Sequence, residues 1–417
     1  MGTRLRSFFR ALGPGFITGA SDDDPSGIAT YSQVGAQFGF GLLWTSLYNL
    51  PFMIAIQEMV ARIGMVTGEG IAASLRKHYP RWIVMVFIVL IFIANTLNAG
   101  ADLGAMADAA RLLTPSVPFG AYLLGFTGLI LVLEILIPYE KYASVLKWFA
   151  ASLLTYLATL VIVTVDWQHL FAGLALPTLT MDKGMILGVI AIFGTTISPY
   201  LFVWQANEEV EEEIAAGRRT LRARRGVTAK ELHTMRKDVA TGMTLSQLIT
   251  VAIIGTAAAT FFRHGITDIQ TASDAARALE PLAGRFASLL FAAGIIGTGL
   301  LAIPVLTASA AYVVSEAVGW KEGLGKTFAQ ARAFYLAIIV STLLGLSMNF
   351  VGIDPIRALY WVAVVNGVIT PPLLAIILLL ANNKKLMKAH VNGWITNAIT
   401  GVAIVGMTVA TGLLFVL

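Results

Sequence analysis

The sequence predicts an all-α membrane protein built from two inverted five-helix repeats plus one additional helix. Three observations carry this: a charge-poor apolar composition, about eleven apolar stretches of spanning length, and two stretches broken at matching places. Of 417 residues, 57% are hydrophobic and 13% charged, whereas soluble domains carry about 25% charged residues. The net charge of +5 is no nucleic-acid signal, because the basic residues collect in short loops, where they orient a chain in the bilayer. There is no cysteine, which excludes disulfides and thiolate metal sites. No cleavable signal segment is expected, since the first apolar stretch leads straight into a broken helix.

The stretches run approximately over 12–38, 42–66, 82–109, 119–138, 143–165, 185–213, 238–262, 285–317, 333–350, 357–382 and 394–416. Each is near the roughly 20 residues a helix needs to cross the hydrocarbon core. Basic residues mark alternate connections: Arg4, Arg6 and Arg10; Arg76, Lys77 and Arg81; Lys141 and Lys147; Arg218 to Lys237; Lys321 and Lys326; Lys384, Lys385 and Lys388. That alternation places the amino terminus in the cytoplasm and, with an odd number of spans, the carboxyl terminus outside a plasma (inner) membrane.

The broken stretches are the first and the sixth. Five spans apart, they insert with opposite orientation. The expected organisation is one transmembrane domain over 1–417, with repeats at 12–165 and 185–382 and an appended helix at 394–416. Paired interruptions of this kind point to a transporter binding site.

The first break is Asp22-Asp23-Asp24-Pro25-Ser26-Gly27. Carboxylates are costly in lipid, and Pro25 cannot continue the hydrogen-bond ladder. The bland alternative is a loop with aspartate caps, but its mostly small and apolar flanks oppose an exit to water. Asp24, directly before Pro25, is the best direct cation ligand. Asp22 and Asp23 cannot share its direction and are expected to shape an aqueous entry or to bind through water. The second break is Thr195-Thr196-Ile197-Ser198-Pro199-Tyr200. A simple proline kink is the alternative here. Unwinding would free carbonyls near Thr195, and the hydroxyls of Thr195 and Ser198 are hard oxygen donors suited to Mg²⁺, Ca²⁺ or Mn²⁺. The five histidines (His78, His169, His233, His264 and His390) all fall at or near loops. This argues against an intramembrane zinc hydrolase and a histidine proton relay.

GPGFITGASDDDPSGIATYSQVGAQFG, QEMVARIGMVTGEG, the Ser-Pro-Tyr break and LFAAGIIGTGLLAIPVLTASAAYVVSEAVGW together resemble the NRAMP superfamily of divalent-metal transporters over nearly the whole chain. The resemblance implies the leucine-transporter fold, with the metal held between the unwound parts of helices one and six. The usual first motif of that family is Asp-Pro-Gly-Asn. Here Asp24 is kept and Gly27 stands in the asparagine position. The usual Met-Pro-His of helix six is Ser198-Pro199-Tyr200, and Gln205 takes the place of a further histidine. A thioether favours softer transition metals, so its replacement by a hydroxyl removes that selection. Gly27 deletes a second side-chain ligand and widens the site. Mg²⁺ keeps several waters and binds through one or two carboxylates, which suits a roomier, harder site and resembles the NRAMP-related magnesium branch. The implied metal set is Asp24, Gly27, Thr195, Ser198 and Ser21, with Asp22, Asp23, Tyr200, Gln205 and Asn366 behind it or along the vestibule.

Proton-coupled members of the family carry an acidic pair on helix three. Alignment on Gly104 puts Asn98 and Ala101 there, and Asp102 lies one position on, facing about 100° away; a rewired relay through Asp102 is the alternative. The expectation is Mg²⁺ uptake, with Mn²⁺ also carried, by alternating access and without proton coupling. A proton-coupled Mn²⁺ or transition-metal importer is the alternative. Asn366 either holds a metal-bound water or makes an interhelical bond. Glu134 is expected to pair with another helix, and Glu58 with Arg62. The glutamates from Glu208 to Glu213 form either a solvated helix end or an acidic vestibule. No phosphate-binding loop with lysine is present, against an ATP-driven pump. An aspartyl hydrolase needs two carboxylates converging from separate positions, and no such second motif is evident. The expected partners are the divalent ion as cargo and the lipid bilayer. No cofactor, nucleic acid or obligate protein partner is expected.

Overall fold

The structure is a computed structural model that describes residues 13–137, 153–180, 182–269, 271–280 and 284–416. The described residues form helices and connections, with no strand. In chain order the main helices are α1 (Pro14–Asp22), α2 (Pro25–Phe38), α3 (Trp44–Thr67), α4 (Ile71–His78), α5 (Arg81–Leu113), α6 (Phe119–Leu136), α7 (Leu154–Ile162) and α8 (Trp167–Ala175). They continue as α9 (Lys183–Thr196), α10 (Pro199–Ala215), α11 (Ala229–Thr260), α12 (Ala287–Val318), α13 (Arg332–Met348), α14 (Pro355–Ala381) and α15 (Trp394–Val416).

Among the described residues, eight segments are long and apolar enough to cross a membrane, with α9 and α10 counted as one. The remaining predicted spans are the broken pair α1–α2, the 17-residue α13 and the fifth stretch, 143–165. The fifth stretch lies partly outside the described residues, as do Lys141, Lys147 and the arginines before α1.

Burial separates the helices into a centre and a rim. The α9–α10 window is 89% buried, whereas α6 is 22% and α15 17% buried. The last two therefore present their apolar sides to lipid. At the centre, α1 and α2 pack on α11, α9 packs on α14, α10 on α3, and α5 along α12.

Glycines permit two of these approaches in particular. A Cβ on Gly19 would stand 2.4 Å from the Gly242 carbonyl, and one on Gly242 would stand 2.3 Å from the Gly15 oxygen. Helix α1 thus lies backbone to backbone on α11. The Asp238 carboxylate of α11 also accepts the Gly13 and Gly15 N–H groups at 2.9 and 2.7 Å, satisfying donors that a helix start leaves open. In the same way, a Cβ on Gly194 would meet the Ala363 oxygen at 1.9 Å, and one on Gly367 the Ile190 oxygen at 2.4 Å. Each half that enters a break is held by one partner helix.

At the end of the bundle where α4 lies, Glu316 of α12 accepts the Ala73 N–H at 3.0 Å. A carboxylate on the first turn of α4 is favourable for its dipole. Arg76 lies against Gly319 at the carboxyl end of α12, the complementary arrangement. Glu58 pairs with Arg62 as expected, at 3.3 Å, and also accepts from Arg236 at 2.8 Å.

Glu322 follows α12 outside the spans. Burial first, and then the Glu316 carboxylate, push it up to about 9. A raised carboxyl contributes stability that is complete below its unfolded value and is lost as pH rises through its folded value. Glu322→Gln is therefore expected to melt near the wild-type temperature at pH 4.5, with an advantage that grows toward pH 9, the window between the ordinary and the raised carboxyl values. Thermal scans across that range check it, and parallel curves for the two proteins would refute it.

Candidate cation site between two broken helices

Asp24 is the cap of α2. Its backbone is extended (φ −71°, ψ 174°), and Pro25 occupies the first helical turn, where a missing N–H costs nothing. Its Oδ1 accepts the Gly27 N–H at 2.8 Å and the Ser26 hydroxyl at 2.7 Å. Its Oδ2 accepts the Asn98 amide of α5 at 2.8 Å. The cap expected as the bland alternative is thus present. It does not use up the carboxylate, which can accept about four bonds in all.

The second break closes differently. Ile197 interrupts the helix with φ −111° and ψ 58°, and Ser198 takes the cap position of α10. The Ser198 hydroxyl turns back to the Gly194 and Thr195 carbonyls, at 2.9 and 2.6 Å. Thr370 of α14 donates to the Ile197 carbonyl at 3.1 Å. Ser198 is therefore first a satisfier of freed carbonyls, and only its lone pairs remain for a cation.

The breaks meet at Gly27. A Cβ there would stand 3.2 Å from the Tyr31 ring, 3.4 Å from the Asp22 carbonyl oxygen and 3.5 Å from Thr195 Oγ1. Thr195 Oγ1 also lies 3.3 Å from Ser26 Oγ. The gap is narrow, bordered by the Tyr31 ring and by oxygen atoms of Asp22 and Thr195. The carboxyl ends of α1 and α9, with their partial negative charge, close on it, an arrangement that suits a cation. Asp24, Thr195 and Ser198 are each 1% exposed, so the site is sealed on both sides.

The other predicted residues fall as follows. The Ser21 carbonyl accepts the Tyr200 hydroxyl at 2.8 Å, a direct tie between the two breaks, while the Ser21 hydroxyl turns to Ile17 at 2.9 Å. Asp22 and Asp23 point away from Asp24 as expected, but they are fully buried rather than at an aqueous entry. Both turn to Ser246 of α11, which lies 2.6 Å from Asp22 Oδ2 and 3.4 Å from Asp23 Oδ1. Gln205 lies away from the gap, accepting from Thr18 at 2.6 Å and donating to Glu209 at 2.9 Å. Asn366 donates to Asn98 at 3.3 Å, the interhelical bond of the two alternatives. Glu134 pairs with Thr307 of α12 at 2.6 Å.

Asp102 lies one position from Ala101 and on the stripe of Asn98: it is 3.4 Å from that amide, and the Ser26 N–H faces its carboxylate. The spacing of four places the two on one helical stripe, a signal obscured by comparing Asp102 with Ala101 alone. The glutamates at the end of α10 are not simply a solvated end, since Glu209 and Glu213 are buried and Glu213 pairs with Arg218 at 3.4 Å. Asn98 and Ser246 were missed as site residues. Single neutral polar residues in apolar stretches give little sequence signal.

The fold and the paired breaks define a membrane transporter of the leucine-transporter type. The chain belongs to the Nramp family of divalent-metal transporters: the family described as natural resistance-associated macrophage protein-like matches residues 15–417. It is 29% identical over 404 residues to the divalent metal cation transporter MntH of Klebsiella pneumoniae strain 342, covering 96% of this chain and 92% of that one. Among solved structures it is similar to the Eremococcus coleocola manganese transporter in complex with an aromatic bis-isothiourea compound, with TM-score 0.76 and 16% identity, over 97% of this chain and 86% of that one. The closed conformation of Mhp1, a nucleobase-cation-symport-1 family transporter, gives TM-score 0.57 and 12% identity, over 97% and 92%. In this family the metal is cargo rather than cofactor, and the protein is not an enzyme.

The Tyr200–Ser21 bond should hold the sealed form, since losing one buried partner costs about 1–3 kcal/mol. Tyr200→Phe is expected to speed thiol labelling of a cysteine introduced by Ser26→Cys, against no cysteine background. An unchanged labelling rate would show that this bond does not hold the breaks together.

Proposed function

We propose that the protein carries Mg²⁺, and also Mn²⁺, into the cytoplasm by alternating access without proton coupling. The observation that carries this is that the ligand atoms bordering the gap at Gly27 are oxygens, with the Tyr31 ring as its apolar wall. Asp24, the Asp22 carbonyl and the hydroxyls of Ser26 and Thr195 surround it, with neither thioether nor imidazole among them. Among the described residues, no group of three or more His, Cys, Asp or Glu side chains forms a metal cluster. Such a site holds an ion that keeps part of its water, as Mg²⁺ does. Asp24 is the principal ligand, Thr195 and Ser198 supply hard oxygens with the Ser21–Asp22 backbone, and Gly27 leaves room for water.

A divalent ion entering a negative-inside cell gains about 4.6 kcal/mol per 100 mV. That suffices to concentrate it without protons. The proposed frame is a plasma membrane with the amino terminus inside, the carboxyl terminus outside, and the repeats divided at 12–165 and 185–382. The chain-length similarity to MntH favours a second reading, a proton-coupled Mn²⁺ importer.

Proteoliposomes separate the two. Mg²⁺ influx under an imposed potential, with no accompanying acidification, is the expected result. Proton influx locked to Mn²⁺, with Mg²⁺ excluded, would establish the second reading instead. Asp24→Ala is expected to lower uptake of both ions at least about 100-fold, the upper end of what even an indirect partner costs a metal site. Persisting transport of both would remove Asp24 from the site.

A further inference from the structure

Asn98 sits at a junction of three helices, and its amide is fully used. Its Nδ2 faces Asp24 Oδ2 at 2.8 Å and Asp102 Oδ2 at 3.4 Å. An NH₂ group has two hydrogens, one for each carboxylate. Its Oδ1 accepts from Asn366 of α14 at 3.3 Å. Two oxygen atoms beside this amide, Asp102 Oδ1 and Asn366 Oδ1, have no hydrogen-bond partner. Asp102 is 0% and Asn366 1% exposed. A buried acceptor without a donor is unfavourable unless a cation or an ordered water meets it. Asp102 and Asn366 come from different helices and touch the two ends of one amide, so their orphan oxygens flank the same junction beside Asp24.

We propose that Asp102 is a second carboxylate for the transported divalent cation, forming with Asn366 a hard-oxygen station next to Asp24. The proposal rests on the reading that Asp24 holds the ion. Two carboxylates match the charge of one divalent ion, and Mg²⁺ is commonly held by one or two with its remaining positions filled by water. Asn98 is the positioning residue. Its two N–H groups hold the two carboxylates on either side of one amide, which limits their mutual repulsion in the half-cycle that carries no ion. Asp102 selects for divalent charge through the field it adds, not through softness, because the station contains no nitrogen or sulfur donor.

The test is binding of Mg²⁺ and of Mn²⁺ to the purified full chain by calorimetry. Asp102→Asn is expected to weaken both about 10- to 100-fold, and Asp102→Glu to recover most of the loss. The metal-free melting temperature of Asp102→Asn should stay near wild type, which a purely structural role would not allow. Wild-type affinity in Asp102→Asn, with binding lost in Asp24→Ala, would overturn this proposal and leave the Asp24 site standing. Wild-type affinity in both variants would overturn both. Should Asp102→Asn fold poorly, Asn366→Ala carries the test: a reduced affinity supports the station, and an unchanged one overturns it.

Discussion

A backbone interrupted inside a membrane must find every lost hydrogen bond within the protein, because lipid offers none. The centre of this molecule is organised around that requirement. Pro25 and Pro199 end two ladders, and the groups set free are met one by one. Asp24 takes the Gly27 N–H. Ser198 folds back on Gly194 and Thr195, and Thr370 reaches Ile197 from α14. Tyr200 takes the Ser21 carbonyl across the gap. The same atoms that repair the backbone are the oxygen atoms a hard cation would use. Site and repair are one construction, and this accounts for a short hydroxyl-rich run at the second break.

The repairs require exact placement of α1 and α9, and two glycine contacts provide it. Gly19 on Gly242 and Gly194 against Ala363 bring backbones together at distances no side chain would permit. Contacts this close tie α1 to α11 and α9 to α14. The ties from α1 to α10, across the breaks, are side-chain bonds, Tyr200 to Ser21 and Thr18 to Gln205. Such bonds are worth about 0.5–1.5 kcal/mol each, far weaker ties than the backbone contacts.

Much of this was legible in the sequence. Composition gave the membrane class, and the two proline breaks located the site, because proline and clustered aspartate in an apolar stretch have few structural uses. Asp24, Thr195 and Gly27 do lie together. What was not legible depends on angular position and on partners distant in sequence. Asp102 differs from Ala101 by one residue yet joins the face of Asn98. Ser246, more than 200 residues from Asp22, gathers two carboxylates that looked bound for water. Gln205 aligned with a histidine position, yet it belongs to a chain running from Thr18 to Glu209.

The chemistry of the residues replaced here matters because selectivity in a compact site is a difference between costs. A thioether rewards a softer ion for giving up water, and a hydroxyl gives no such reward. With Ser198 partly engaged by carbonyls, the second break offers little to compensate a strongly hydrated ion for losing its shell. The remaining means of holding such an ion is net charge at short range in a medium that screens it weakly. Charge attracts the ion through its waters and needs no exchange of ligands. On the proposed reading, a gap without soft or amide ligands but with carboxylates close by would hold its ion more by electrostatics than by coordination, the regime that suits a hydrated Mg²⁺.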